Sequence, residues 1–279
     1  MNLNRKAFLK TLGLTGAGLM LNTKLPAMPE RPTAAHSFTL GIASYTLRKF
    51  SLDETIKVSK RLGLTRVALK SMHLPLESTA EEIKAGAKKV RDAGLDLYGA
   101  GVIYMKSEAE VNQAFTYAKA AGLEMIIGVP NHELLPLVEK KVKETNVKLA
   151  IHNHGPGDTL YSSVNDAYEK IKGLDSRIGL CIDIGHVVRI KEDPVAMAVK
   201  YKDRLYDCHL KDVSKAAPDG GNIEAGRGVI DLPAFLRTMI KISYTGSLSF
   251  EYEKDENDPV PGLAESVGYV RGILKMLES

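Results

Sequence analysis

The stretch IGLCIDIGH, Ile178–His186, shows the pattern from which the fold of this chain can be derived. An apolar run of strand length ends on a carboxylate, Asp183, and a glycine and a histidine follow. Apolar runs of this length are typical of strands that are buried on both faces of a parallel sheet. An ionisable group at the end of such a strand is costly to bury unless it pairs or binds a metal. Its position therefore indicates a functional edge of the sheet.

Apolar runs of strand length recur along the chain on both sides of Asp183, and segments with helical periodicity alternate with them. The predicted strands are Phe38–Tyr45, Thr65–Lys70, Leu95–Val102, Glu124–Val129, Val147–His152, Ile178–Asp183, Arg204–His209 and Gly246–Glu251. The predicted helices are Leu52–Leu62, Thr79–Ala93, Ser107–Ala121, His132–Thr145, Ser163–Ile171, Pro194–Tyr201, Leu232–Lys241 and Gly262–Leu277. This alternation predicts an α/β fold, a single (β/α)8 TIM barrel. An open doubly wound sheet is the alternative, but no Gly-rich phosphate-binding turn follows the first strand.

Length and composition agree with one large domain. The chain has 279 residues, of which 44% are hydrophobic and two are cysteines. Two cysteines are too few for a disulfide-dense scaffold or a Cys-rich zinc module. Cys181 and Cys208 lie on opposite faces of their predicted strands, so we expect buried free thiols and no disulfide. No apolar run reaches the roughly 18 residues that a membrane-spanning helix needs.

The start of the chain has the features of an export signal. Arg5, Lys6 and Lys10 precede or flank Thr11–Leu21, a Gly/Leu/Ala-rich segment of the length of a signal-peptide apolar region. The stretch from Asn4 to Lys10 resembles the twin-arginine export motif, with Lys6 where the second arginine usually stands. An amphipathic helix packed on the domain is the alternative interpretation.

We therefore expect residues 1–35 to be a signal peptide and linker and residues 36–279 to be the catalytic barrel. The mature protein is then expected in the periplasm, without a membrane anchor. The first 35 residues hold five basic and one acidic residue, which leaves 33 of each in the remainder. A barrel without net charge has no electrostatic footprint for nucleic acid, so we expect no nucleic-acid partner.

Ionisable side chains end four consecutive predicted strands. They are His152, Asp183, His209 and Glu251. The C-terminal ends of barrel strands meet at one face of the barrel, which carries the active site. Two imidazoles and two carboxylates suit Mn²⁺, Zn²⁺, Co²⁺ or Fe²⁺ better than Mg²⁺ or Ca²⁺. We expect one divalent metal ion at these residues, and a hydrogen-bonded polar cluster without metal is the alternative.

Other polar side chains near the strand ends are candidates for catalysis or substrate contact. Lys211 lies two residues after His209, and side chains at that spacing in a strand lie on the same face. Lys211 should therefore point inward, where it could stabilise an oxyanion. Glu251 and His152 are candidates for the base that moves a proton. The residues expected to bind substrate are His154, His186, Lys70, His73 and Arg227. Solvated loop positions and helix caps are the competing interpretations.

Four stretches resemble the xylose-isomerase-like TIM barrels, a superfamily of sugar isomerases, epimerases and dehydratases that also includes endonuclease IV. They are Leu180–His186, His209–Asp212, Gly226–Asp231 and Tyr244–Glu251. The resemblance covers roughly residues 40–277 and implies the barrel fold.

The resemblance also implies one divalent metal held by a Glu, an Asp, a His and a second Glu. Asp183, His209 and Glu251 match the last three ligands, and His152 stands where the family has the first Glu. That Glu often serves as a base in the epimerases, so the exchange removes one negative charge and one carboxylate base. The chemistry shared by the family is removal of a proton next to a carbonyl, which leads to isomerisation, epimerisation or elimination of water.

The sequence therefore predicts a sugar isomerase or epimerase that acts on a keto-sugar or polyol with one divalent metal. A lyase or hydratase (dehydratase) acting on an oxidised sugar is the second hypothesis. A non-catalytic sugar-binding barrel is the third, and a DNA-cleaving enzyme is disfavoured by the charge balance. The expected partner is a small-molecule carbohydrate, and the oligomeric state, a homo-oligomer included, is left open.

Overall fold

The structure, a computed structural model, describes residues 36–278, and these residues contain a closed barrel of eight parallel strands. In chain order the strands are β1 Thr39–Ala43, β2 Arg66–Leu69, β3 Asp96–Met105, β4 Met125–Pro130, β5 Lys148–His152, β6 Ile178–Asp183, β7 Leu205–Leu210 and β8 Ser247–Phe250. Strand β8 pairs with β1, with Thr39 opposite Ser247, and this pairing closes the barrel. The predicted fold, a single (β/α)8 TIM barrel, is confirmed.

Nine α-helices lie in the described part of the chain. They are α1 Leu52–Arg61, α2 Ala80–Asp92, α3 Glu108–Ala121, α4 Leu135–Thr145, α5 Val164–Ile171, α6 Ile184–Arg189, α7 Pro194–Lys200, α8 Leu232–Lys241 and α9 Val260–Glu278. Local sequence sets their ends. Ser51 and Thr79 each form a capping box with the glutamate three residues later. Gly122 ends α3 with a left-handed φ of 63°, a conformation that glycine adopts without a steric penalty.

Short elements depart from the sequence prediction. The sequence predicts neither α6 nor the two-stranded antiparallel ribbon of Asp212–Val213 and Asn222–Ile223. Helix α6 begins directly after β6 because the Oδ1 atom of Asp183 accepts the backbone N–H of His186 at 2.9 Å. Six residues of helix and two residues per strand are too short for hydrophobic periodicity to reveal.

The buried apolar residues of the strands and of the inward helix faces form one continuous core. Both cysteines are buried and free, as expected. Among the helices within residues 36–278, none combines the length and the apolar character needed to cross a membrane. The predicted signal peptide and linker lie outside the described residues.

Candidate active site

The four side chains at the C-terminal ends of β5 to β8 converge at one face of the barrel, with Glu251 directly after the last residue of β8. The Nε2 atom of His152 lies 3.1 Å from Nδ1 of His209 and 3.5 Å from Oδ2 of Asp183. Nδ1 of His209 lies 3.0 Å from Oε2 of Glu251. All four residues are buried, and one ligand atom from each lies within 4.8 Å of the other three. We call these four residues the ligand cluster.

The separations within the ligand cluster fit a shared cation. Two ligand atoms that are each about 2.1 Å from one ion lie about 3.0–3.4 Å apart in octahedral or tetrahedral geometry. Nδ1 of His209 carries at most one proton, yet it faces both His152 and Glu251 at hydrogen-bond distance. Nitrogen and oxygen atoms that can each donate a lone pair to a metal are thus gathered within a short distance of one another. The cluster can therefore hold one divalent metal ion of the kind that accepts both imidazole and carboxylate.

A lysine ammonium lies against the ligand cluster. Nζ of Lys211 lies 2.8 Å from Oδ2 of Asp183 and 2.8 Å from Oε2 of Glu251. It also contacts the carboxylate of Glu253. The stem of this lysine packs over Gly185, where a Cβ atom would come within 2.5 Å of Cγ of Lys211. The glycine is therefore required for the position of the lysine.

Burial and neighbouring charges set the protonation states of the site. Burial lowers the pKa of His152 to about 3, so its imidazole is neutral at pH 7 and offers a lone pair. Burial disfavours the charged form of Lys211, but Asp183 and Glu251 outweigh this effect and raise its pKa well above the usual range. Burial also opposes ionisation of Glu251, yet His209 and Lys211 hold the pKa of this carboxyl well below its usual range. The ligand cluster thus contains two carboxylates and a neutral His152, and a charged lysine lies against it.

A cavity of about 320 Å³ opens beside the ligand cluster, a size at the lower end of small-molecule pockets. Its walls are formed by Tyr45, Lys70, Val102, Tyr104, His152, His154, His186, Glu251 and Glu253. The ammonium of Lys70 donates to the carbonyl of Val102, and burial lowers its pKa. The hydroxyl of Tyr104 lies 2.9 Å from Nε2 of His154. Of the residues predicted to bind substrate, Lys70, His154 and His186 therefore line the cavity.

The structure does not bring the other two predicted substrate residues to the cavity. His73 is buried, and its ring nitrogens lie 2.8 Å from Oγ of Ser44 and 3.1 Å from the carbonyl of Leu47, so both have partners in the scaffold. Arg227 is exposed and pairs with Glu265, with Nη2 at 2.7 Å from Oε2. His73 follows the end of β2 by four residues and Arg227 lies in the long loop between β7 and α8, so no barrel strand positions either side chain.

Sequence reasoning missed several residues of the site. Glu253 contacts Lys211 and lines the cavity. It lies two residues after Glu251, and this spacing is the sequence signal that could have indicated it. Tyr104 reaches the cavity because β3 extends to Met105, beyond the predicted end at Val102. Below the cluster, Oδ2 of the buried Asp207 lies 3.8 Å from Nε2 of His209. The parity of Asp207 with His209 predicts this inward position.

A family profile described as xylose isomerase-like TIM barrel matches residues 43–273. The rhizopine catabolism protein MocC of Rhizobium meliloti is 29% identical over 145 residues, which cover 47% of this chain and 44% of that protein. An inosose dehydratase of Clostridium tetani (strain Massachusetts / E88) is 28% identical over 132 residues, which cover 42% of this chain and 44% of that protein. The chain thus matches less than half the length of these curated relatives.

A solved structure of the IOLI protein with a binding zinc atom superposes with a TM-score of 0.72 at 15% identity. The superposition covers 86% of this chain and 99% of that one. An identity this low shows a shared fold and nothing further. The family profile, in contrast, matches far more than half of the sequence, and the chain belongs to the xylose isomerase-like TIM barrel family.

Proposed function

We propose that this chain is a metal-assisted sugar isomerase or epimerase that removes a proton next to the carbonyl of a keto-sugar or keto-polyol. One observation carries the proposal: Glu251 belongs to the ligand cluster and also lines the cavity. A carboxylate in that position can reach both an ion and a substrate carbon. The cavity walls carry hydroxyl, imidazole and ammonium groups that suit a polyhydroxylated ligand.

His152, Asp183, His209 and Glu251 would hold the metal, which when bound supplies a Lewis acid that polarises the carbonyl. Lys211 remains protonated, and its ammonium stabilises negative charge that develops on the substrate oxygen. Lys70, which lines the cavity, orients a second oxygen of the substrate.

Glu251 is the first candidate for the base. The contacts with His209 and Lys211 that lower its pKa also lower its basicity. His154 is the second candidate, because it lies on the cavity wall and burial lowers its pKa, which keeps the imidazole neutral at pH 7.

Dehydration of a keto-sugar or keto-polyol is the second candidate function. It is favoured by the curated relatives named inosose dehydratase and by His152, which stands where a two-carboxylate epimerase has a glutamate. In this reaction the base takes the proton next to the carbonyl, the C–O bond at the neighbouring carbon breaks, and the departing hydroxyl is protonated to water. A conjugated enone or its tautomer remains.

The test is exchange of the substrate's α-hydrogen in D₂O across a panel of keto-sugars and inososes. Glu251→Gln should slow this exchange by about 10²–10⁴-fold, the usual cost of losing a proton-transfer group. Glu265→Gln, which removes an exposed carboxylate that pairs with Arg227, is the matched control and should exchange like the wild type. Equal rates in wild type and Glu251→Gln would remove Glu251 from the proton transfer and make His154→Gln the next variant.

The product separates the two candidate functions. Isomerisation or epimerisation conserves the mass of the substrate, whereas dehydration lowers it by one water and creates an ultraviolet-absorbing product. Mass spectrometry and absorbance on the same reaction therefore decide between them.

A further inference from the structure

Lys211 contacts one carboxylate oxygen of Asp183 and one of Glu251, and both oxygens also face imidazoles of the ligand cluster. Its Nζ atom is 2.8 Å from Oδ2 of Asp183 and 2.8 Å from Oε2 of Glu251. The same oxygens face the imidazoles, since Oδ2 of Asp183 lies 3.5 Å from Nε2 of His152 and Oε2 of Glu251 lies 3.0 Å from Nδ1 of His209. The ammonium and the two imidazole nitrogens are therefore neighbours of the same two anionic atoms.

We propose that Lys211 and a divalent metal ion compete for the carboxylates of Asp183 and Glu251, and that Glu253 retains the lysine when the metal binds. The inference rests on the metal site of the proposed function. Two cations that share the same oxygens repel each other at close range, and the buried position reduces the screening by water.

Glu253 provides the alternative partner. Its carboxylate already contacts Nζ of Lys211, it is not part of the ligand cluster, and its side chain is 36% exposed on the cavity wall. The packing of the lysine stem over Gly185 leaves only the end of the side chain to move. Metal binding thus shifts the ammonium from the two buried carboxylates toward Glu253, which lines the cavity.

The experiment measures Mn²⁺ affinity by titration calorimetry on the full chain after chelation and dialysis. Lys211→Met should bind Mn²⁺ at least about tenfold more tightly than the wild type, because the competing charge is gone. Lys254→Met is the matched control, since Lys254 pairs at 2.9 Å with the buried Glu224, which is not one of the four cluster residues. Its Mn²⁺ affinity should stay within about twofold of the wild type.

Glu253→Gln gives a second measurement that does not require Lys211→Met to fold without metal. The displaced ammonium then lacks a carboxylate, so Mn²⁺ should bind about 3- to 10-fold more weakly than to the wild type. In the Lys211→Met background the same change should have no effect, which defines a double-mutant cycle.

Equal or weaker Mn²⁺ binding by Lys211→Met overturns the competition and leaves the metal site intact. If that variant does not fold, unchanged or tighter binding by Glu253→Gln overturns it in the same way. Absence of Mn²⁺ binding in wild type and variants alike overturns both the metal site and the competition.

Discussion

At the scale of single residues, buried His73 makes two hydrogen-bond contacts and should make the stability of the protein depend on pH. Its ring nitrogens lie at hydrogen-bond distance from Oγ of Ser44 and the carbonyl of Leu47. Burial lowers its pKa in the folded protein, whereas in the unfolded chain the value is about 6.5. Below that pH the unfolded chain takes up a proton that the folded protein excludes, so the contribution of this residue falls as the pH falls.

His73→Phe should therefore destabilise the protein by about 1–3 kcal/mol at pH 7.5, because Ser44 and Leu47 lose a buried partner. The difference from wild type should narrow as the pH decreases from about 6.5, since only the wild type carries the imidazole. Urea unfolding at pH 7.5, 6.5 and 5.5 measures both effects. A constant or widening difference would contradict this account of His73.

Strand parity explains which site residues the sequence can predict. His152, Asp183 and His209 lie at or next to the last residue of their strands and Glu251 directly follows β8, so side-chain alternation along the strand predicts the face on which each lies. His73 and Arg227 lie in turns and loops, where no periodicity fixes the side-chain direction. The partners of Lys211 depend on distances between separate βα units, and a sequence pattern does not contain those distances.

At the scale of elements, a single carboxylate organises the loop that follows β7. Oδ1 of Asp212 accepts the backbone N–H groups of Val213 at 2.9 Å and Ile230 at 3.1 Å. Oδ2 accepts those of Gly226 at 2.9 Å and Gly228 at 3.0 Å. The carboxylate is fully buried, so these four donors depend on it. It fixes the start and the end of the loop next to the strand that carries His209.

Asp212→Asn should destabilise the protein by about 2–4 kcal/mol, because the amide nitrogen would face two N–H donors and leave them unpaired. The loop of residues 214–224 should become the first site of limited proteolysis. Chemical denaturation and mass mapping of the cleavage sites measure these effects. A variant within about 0.5 kcal/mol of the wild type, with an unchanged cleavage pattern, would show that the loop is held by other contacts.

The bounds of the longer elements follow from the sequence for a physical reason. Ile178–Asp183 and Leu232–Lys241 coincide with their predictions, because burial gives strands apolar runs and gives helices a 3.6-residue period. Helix α4 begins later than predicted, after a 3₁₀ turn at His132–Leu134. Pro136, the second residue of α4, is typical of the first turn of a helix. It gives no indication that a 3₁₀ turn precedes the helix.

At the scale of the whole molecule, metal binding should couple to stability. A ligand that binds only the folded state stabilises it by about 2.7 kcal/mol at a hundred times its Kd. Chelation should therefore lower the melting temperature, and Mn²⁺ or Zn²⁺ should restore it. Asp183→Asn should abolish the metal-dependent shift, which differential scanning calorimetry records. A shift of wild-type size in Asp183→Asn would place the ion elsewhere.

The N-terminal segment gives a second prediction at this scale. We propose that residues 1–35 direct export and are removed, so residues near 22–36 should be absent from the mature N-terminus. N-terminal sequencing of protein from the periplasm of the native host is the measurement. An intact Met1 in the cytoplasmic fraction would contradict export.

The barrel as a whole follows from repetition of one βα pattern, whereas the family is indicated by the resemblance of particular stretches such as Leu180–His186. The cavity does not follow from repetition. Its walls combine Tyr45 from the turn after β1 with Glu253 beyond β8, and their proximity arises only when the pairing of β1 with β8 closes the barrel.

The helix cap formed by Asp183 has a consequence for denticity. One carboxylate oxygen is engaged by the backbone N–H of His186, and the other faces the imidazole of His152. A carboxylate fixed in this way presents a single oxygen to a cation and cannot rotate to chelate it with both. The four cluster residues would then supply one ligand atom each, and an ion that accepts more than four ligands would have room for oxygens of a hydroxyketone.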